Sequence, residues 1–286
     1  QSLAVALHKA FTGPSIALVS FVRAGLPLGV LLRRALVELG RDAHHYGISI
    51  VRDRGIDQVA LEAIIARHGA DNVVFVDGWT GKGAIAGEIA DCLGSDPRFT
   101  HGPRLVVLAD PCGRAWLAAS AQDWIIPSGI LGATVSGLVS RSIWPADGGL
   151  HGCVVYDHLQ PHDVTRDFID RIEAERRRAA PVSTVEPWTA EQAARLQAAA
   201  LGVVEQLAER FQISNLNRIK PGIAEATRAV LRRVPDQVLV RDRADGDAQR
   251  HLDQRLHVYV AGLADVEGLR GVEGCSRHEH GGLHFA

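Results

Sequence analysis

Apolar positions run along the first part of this chain as short unbroken blocks, and the segments between them carry apolar residues at helical spacing. Residues 15–22 are apolar apart from Ser15 and Ser20, and Arg23-Ala24-Gly25-Leu26-Pro27 breaks the run as a turn. A helix is predicted over 28–39, a second strand over 46–51, and a helix over 56–68 after the charged loop 52–55. Residues 72–76, apolar from Val73 on, form a third strand block, followed by a short glycine loop and a helical run over 84–93. Residues 105–108 form a fourth block that ends at Asp110-Pro111. Strands that are apolar throughout are covered on both faces, and strands that alternate with helices form parallel sheets. Residues 125–142 are rich in Gly and Ser and read as irregular structure near a site, and 154–156 reads as a last short strand.

The pattern changes after Phe168. A charged helical run covers 173–178, residues 180–184 have the composition of a linker, and an Ala-rich helix covers 189–211. Thr189 and Gln192 have the spacing of a capping box at its start. A helix over 221–233 and strands over 237–240 and 256–260 then form a second unit, closed by a polar, glycine-rich tail over 271–286. The expected organisation is an α/β domain over 1–180, a linker and helix over 181–212, and a smaller α/β accessory domain over 213–286.

Composition narrows the class. Hydrophobic residues make up 47% and charged residues 22%, as in ordinary globular chains. A formal net charge of −2 argues against a nucleic-acid backbone as the main partner. No apolar run approaches the roughly 18 residues that cross a bilayer, so no membrane contact is expected. Cys92, Cys112, Cys153 and Cys275 show no paired spacing and fit a reducing cytoplasm, the compartment expected. Cys275, His278, His280 and His284 lie close together in the tail, but their spacing matches no closed zinc module.

The candidate chemistry gathers behind the third strand, in Asp77-Gly78-Trp79-Thr80-Gly81-Lys82-Gly83. A Walker loop fails here, because Val76 stands where its first glycine belongs and Gly83 where its Ser or Thr belongs. Gly81, Gly83 and Gly87 are spaced one residue too widely for a dinucleotide loop. An apolar strand, an acid and a short Thr-Gly loop resemble the 5-phosphoribosyl 1-pyrophosphate (PRPP) loop of the type I phosphoribosyltransferases, which has a second acid where Gly78 stands. Thr80, Gly81, Lys82 and Gly83 would then hold the 5-phosphate. Asp77 would hold ribose hydroxyls or orient Mg²⁺. Arg23, with the backbone of Ala24 and Gly25, would take the pyrophosphate, with Arg52 and Arg54 as further contacts. Asp77, Arg23 and Arg52 would carry catalysis, and Trp79 could stack on base or sugar. Ser136 and Arg141, with Ser128 and Ser140, would form a hood over the acceptor base. Loops at the carboxyl ends of parallel strands share one edge, so all of these could face one crevice.

Longer stretches resemble one family. The segment 45–57 (His-Tyr-Gly-Ile-Ser-Ile-Val-Arg-Asp-Arg-Gly-Ile-Asp), the turn 20–25, the loop 78–83, Ser136-Gly137-Leu138-Val139-Ser140-Arg141 and 220–228 are similar to the StiP family. These are phosphoribosyltransferase-like proteins associated with tellurite-resistance and stress-response gene clusters, with a C-terminal PELOTA-like domain. The resemblance implies a type I phosphoribosyltransferase-like parallel sheet flanked by helices. It also implies a PRPP- and Mg²⁺-dependent pentosyltransferase that makes a nucleoside-like metabolite from an unidentified base. A PELOTA-like domain implies RNA or nucleotide contact, and the fold by analogy implies a homodimer. Two alternatives stand beside the transferase. One is a nucleotide sensor without catalysis. The other is a cysteine protease, a label some members carry, with Cys112 or Cys153 as the available thiols.

Overall fold

A computed structural model describes residues 1–51, 54–130, 132–139, 142–180 and 184–230. The chain opens with helix α1 (Ser2–Ala10), then β1 (Ser15–Phe21), α2 (Gly25–Glu38) and β2 (Asp42–Ile48). A small hairpin of β3 (Ile50–Val51) and β4 (Gly55–Ile56) leads into α3 (Gln58–His68), β5 (Val73–Val76), α4 (Ala84–Leu93), β6 (Leu105–Ala109) and β7 (Leu117–Ser120). β2, β1, β5, β6 and β7 lie in that order in one five-stranded sheet, and every pairing in it is parallel. The expected α/β architecture, a parallel sheet flanked by helices, is the one observed.

The side-chain period of two along each strand explains the core. Ala17, Val19, Phe21, Val73 and Phe75 face one way, onto Leu61, Ile64, Ile65, Ile89 and Leu93 of α3 and α4. Ile16, Leu18, Val74 and Val76 face the other, onto α1 and α2 through Leu3, Leu7, Leu28, Leu32 and Leu36. All seven residues of β1 are buried, which is why this central strand reads as a continuous apolar block. β2 begins earlier than the expected strand over 46–51, at Asp42. It is an edge strand with half-exposed His44, His45 and Tyr46, so its apolar signal is diluted.

The chain passes from β1 to β2 on one side and returns to β5 on the other. A crevice therefore opens between the loops that follow β1 and β5. Two short helices, α5 (Pro127–Ile130) and α6 (Ala133–Ser136), pack on α2. In place of the strand expected over 154–156 stand two isolated antiparallel bridges, Ile143–Gly152 and Val139–Val155. Helix α7 (Thr165–Arg178) is longer than the charged run that predicted it, and packs on α2 and α6.

Helix α8 (Ala190–Arg210) carries the predicted capping box. Thr189 Oγ1 accepts from the Gln192 amide at 3.2 Å, and the Gln192 side chain accepts from the Thr189 amide at 3.0 Å. Gln197 Nε2 ties the helix to the 110–115 turn by donating to the Gly113 carbonyl at 2.9 Å. The last described element is α9 (Ile223–Val230), whose first amide donates to Asp123 Oδ2 at 2.6 Å. The predicted strands over 237–240 and 256–260 and the tail lie outside the described residues. Among the described residues no helix is long and apolar enough to cross a membrane.

Candidate functional site

Two glycines close the switch-point edge. A methyl group on Gly25 would stand 2.2 Å from the Val76 carbonyl oxygen, so α2 starts directly against the end of β5. Ser20 Oγ donates to the Gly25 carbonyl at 3.0 Å and Ser128 Oγ to the Ala24 carbonyl at 2.8 Å, which fixes the turn. A methyl group on Gly78 would stand 2.9 Å from Ile126 Cγ2, so the position of the missing second acid has no room for a side chain. Asp77 Oδ1 accepts from the Gly78 amide at 2.8 Å, and the Arg23 guanidinium lies over Gly132. Arg23, Ala24, Gly25 and Asp77 thus gather at one edge.

The rest of the predicted phosphate loop turns inward. Thr80 is buried, and its hydroxyl donates to Asp110. Asp110 has no exposure, and it also accepts from the amides of Arg114 (3.0 Å) and Ala115 (2.8 Å) and from Trp188 Nε1 (2.8 Å). Trp79, half-buried, packs with Leu108, Ala109, Ile126 and Ala224. Lys82 Nζ donates to the carbonyls of Leu216 (2.7 Å) and Ile219 (3.0 Å). Glu225 lies over Gly81, its Oε2 standing 2.9 Å from where a methyl group there would be. Gly83 takes the left-handed conformation (φ 79°) that starts α4. Ser136 is buried and donates to the Gly132 carbonyl at 2.6 Å. Arg54 lies in the turn between β3 and β4, and Arg52 and Arg141 lie outside the described residues. Among the described residues no group of three or more His, Cys, Asp or Glu side chains gathers to hold a metal ion.

The described cysteines differ sharply. Cys112 is 3% exposed and donates to Thr80 Oγ1 at 3.2 Å. Burial pushes its thiol up to about 12, with the Asp110 carboxylate adding to the effect. Such a thiol stays protonated and unreactive at neutral pH. Cys92 is half-buried on α4. Cys153 is exposed and stands two residues beyond His151. Ile143 and Gly152 exchange both backbone hydrogen bonds, at 2.7 and 3.0 Å, so the chain is extended there. His151 and Cys153 flank this pair, one residue to either side of Gly152.

His151 is held at three points. Its Nδ1 pairs with Ser49 Oγ, its amide donates to Asp57 Oδ2 at 2.7 Å, and its ring lies 4.9 Å from that of Trp144. Asp57 is itself fixed as the N-cap of α3, accepting from the Ala60 amide at 3.0 Å. No local pattern announces this cluster. Ser49 and His151 are 102 residues apart, and only the fold joins them.

The sequence relationships agree on a class. A family model described as tellurite-like stress resistance cysteine protease StiP matches residues 1–173, and a PELOTA RNA-binding domain model matches residues 198–261. The cysteine protease StiP of Acinetobacter baylyi is 54% identical over 269 residues, which cover 89% of this chain and 70% of that one. The chain belongs to the StiP family. Among solved structures, a hypoxanthine phosphoribosyltransferase from Trypanosoma cruzi is 15% identical with a TM-score of 0.28, covering 41% of this chain and 66% of its own. An HPRT asparagine mutant is 15% identical with a TM-score of 0.29, covering 41% and 69%. Likeness at that level carries no argument about activity. The expectation of a PRPP-dependent pentosyltransferase, with its transferase, PRPP and magnesium chemistry, is overturned by the family match and the close relative, both described as cysteine proteases. Tellurite and stress resistance, read from the same resemblance, agrees with the family description.

Proposed function

We propose that this chain is a cysteine peptidase of a stress-resistance system, with Cys153 as nucleophile and His151 as its general base. The family description supports the class. The observation that carries the assignment is the three-point fixation of His151, two residues before the exposed Cys153. In the tautomer whose Nδ1–H donates to Ser49 Oγ, Nε2 is the basic nitrogen that takes the thiol proton. The Cys153 thiolate then attacks the scissile carbonyl carbon. The amine leaves with the proton from the imidazolium, and a thioester remains on Sγ. Water, deprotonated by the same imidazole, hydrolyses the thioester and restores the thiol. Ser49 and Asp57 act as positioning residues, since they reach the reaction only through His151.

The test is hydrolysis of a denatured protein such as reduced casein by the full chain, with and without iodoacetamide. Cys153→Ala and His151→Ala should each lower kcat by at least about a hundredfold, the scale of a lost general base. Cys112→Ala should retain hydrolysis. Full activity in Cys153→Ala, or hydrolysis insensitive to alkylation, would overturn the assignment.

The match of residues 198–261 supports a second role, contact with RNA through the C-terminal part of the chain. Retention of single-stranded RNA by the full chain, weakening as salt rises, is the expected result. No retention at low salt would contradict it.

A further inference from the structure

Large apolar side chains that face solvent are concentrated in one place. Ile143, Trp144, Leu150, Val154 and Val155 are all exposed, Leu150 to 62% and Val155 to 56%. The Ile143–Gly152 backbone pair and the Trp144–His151 ring contact lay the two segments that carry them side by side, with Trp144 against His151. Arg54 lies across the face of Trp144, 5.2 Å from the ring centroid, and makes no ion pair among the described residues. A contiguous exposed apolar strip on a globular chain marks an interaction surface. A guanidinium laid flat on an indole still presents its N–H edge, which suits a carboxylate.

We infer that this strip is the substrate-recognition surface. It takes an extended polypeptide segment with an apolar side chain beside the scissile bond and a carboxylate within reach of Arg54. The inference rests on the Cys153–His151 peptidase reading. Folded proteins bury such side chains, so the substrate class is unfolded polypeptide, in which apolar residues are accessible in extended chain. Trp144 and Leu150 supply the apolar contact and Arg54 the charge preference.

The experiment compares kcat/KM of the full chain on quenched-fluorescent peptides that differ at two positions. Leu or Ala stands beside the scissile bond. Beyond it stands either Glu in a C-terminally amidated peptide, or Gln in a peptide with a free carboxyl terminus, to separate a side-chain from a terminal carboxylate. Leu should be preferred over Ala about tenfold or more. Leu150→Ser and Trp144→Ala should flatten that ratio, and Arg54→Gln should remove whichever carboxylate preference the wild type shows. Peptides hydrolysed in an iodoacetamide-sensitive way with the Leu-to-Ala ratio unchanged in Leu150→Ser and Trp144→Ala would overturn the inference and leave the peptidase reading standing. No hydrolysis of any peptide or of casein by the wild type would overturn both. A dimer in sedimentation that dissociates in Leu150→Ser would assign the strip to a second copy of the chain and likewise overturn it.

Discussion

Burial should make Cys112 chemically silent, and the size of the effect can be worked out. With the thiol pushed up to about 12, the thiolate fraction at pH 8 is about 10⁻⁴. For an ordinary cysteine of pKa about 8.5 it is roughly a quarter. The ratio is about two thousandfold. A thiolate of higher pKa is the better nucleophile, by about 0.4–0.5 logarithmic units per unit of pKa, which returns roughly fortyfold. The net retardation is about fiftyfold from ionisation alone. Limited access to a side chain that is 3% exposed slows it further. The assay is timed alkylation with iodoacetamide at pH 8, with each cysteine quantified by peptide mass spectrometry and referred to the same chain in urea. Cys112 should react at least about fiftyfold more slowly in the native chain than in urea, with a rate that climbs about tenfold per pH unit toward pH 10. Native-state labelling of Cys112 within a few-fold of the denatured rate would refute the reasoning.

Other consequences concern the frame that holds the site. Hydrogen bonds from Arg176, then from Arg177, pull the Glu173 carboxyl down to about 2 against the opposing effect of burial. A depressed carboxyl contributes stability that is full above its unfolded value near 4.5 and is lost as pH falls toward 2. Glu173→Gln should therefore cost about 1–2 kcal/mol in urea unfolding at pH 7 and less than half of that near pH 3; an equal cost at both would contradict the pairing. Gly25→Ala forces a methyl group to 2.2 Å from the Val76 carbonyl, with backbone on both sides. It should cost about 3 kcal/mol or more in urea unfolding, and a neutral effect would show that α2 does not start against β5. Lys82→Ala removes two hydrogen bonds that tie residues 216–219 to the loop after β5. Limited trypsin cleavage in 210–222 should speed up several-fold, and an unchanged rate would sink the contact.

Strands at 15–22, 72–76 and 105–108 were legible because the sheet's central strands are covered on both faces and leave apolar blocks in the sequence. β2 was displaced because an edge strand carries Asp42, His44 and His45 on partly solvated faces. β7 was missed because Leu-Ala-Ala-Ser has little strand character, and at this edge of the sheet only Leu117 and Ala118 are buried. The gathering of Arg23 and Asp77 at one edge followed from strand order alone. The direction of Thr80 did not, since a Thr-Gly turn after a strand reads alike whether it cradles an anion or, as here, satisfies a buried carboxylate 30 residues on. The His151 cluster left no local signature, because Ser49, Asp57 and Trp144 reach it from separate segments.

The most direct measurement is covalent capture of the nucleophile. The full chain is treated with a peptidyl vinyl sulfone bearing Leu next to the reactive group, and the adduct is mapped by mass spectrometry. A single adduct on Cys153 that disappears in His151→Ala is the predicted result. An adduct on Cys112, or no adduct on any cysteine of the native chain, would contradict the account.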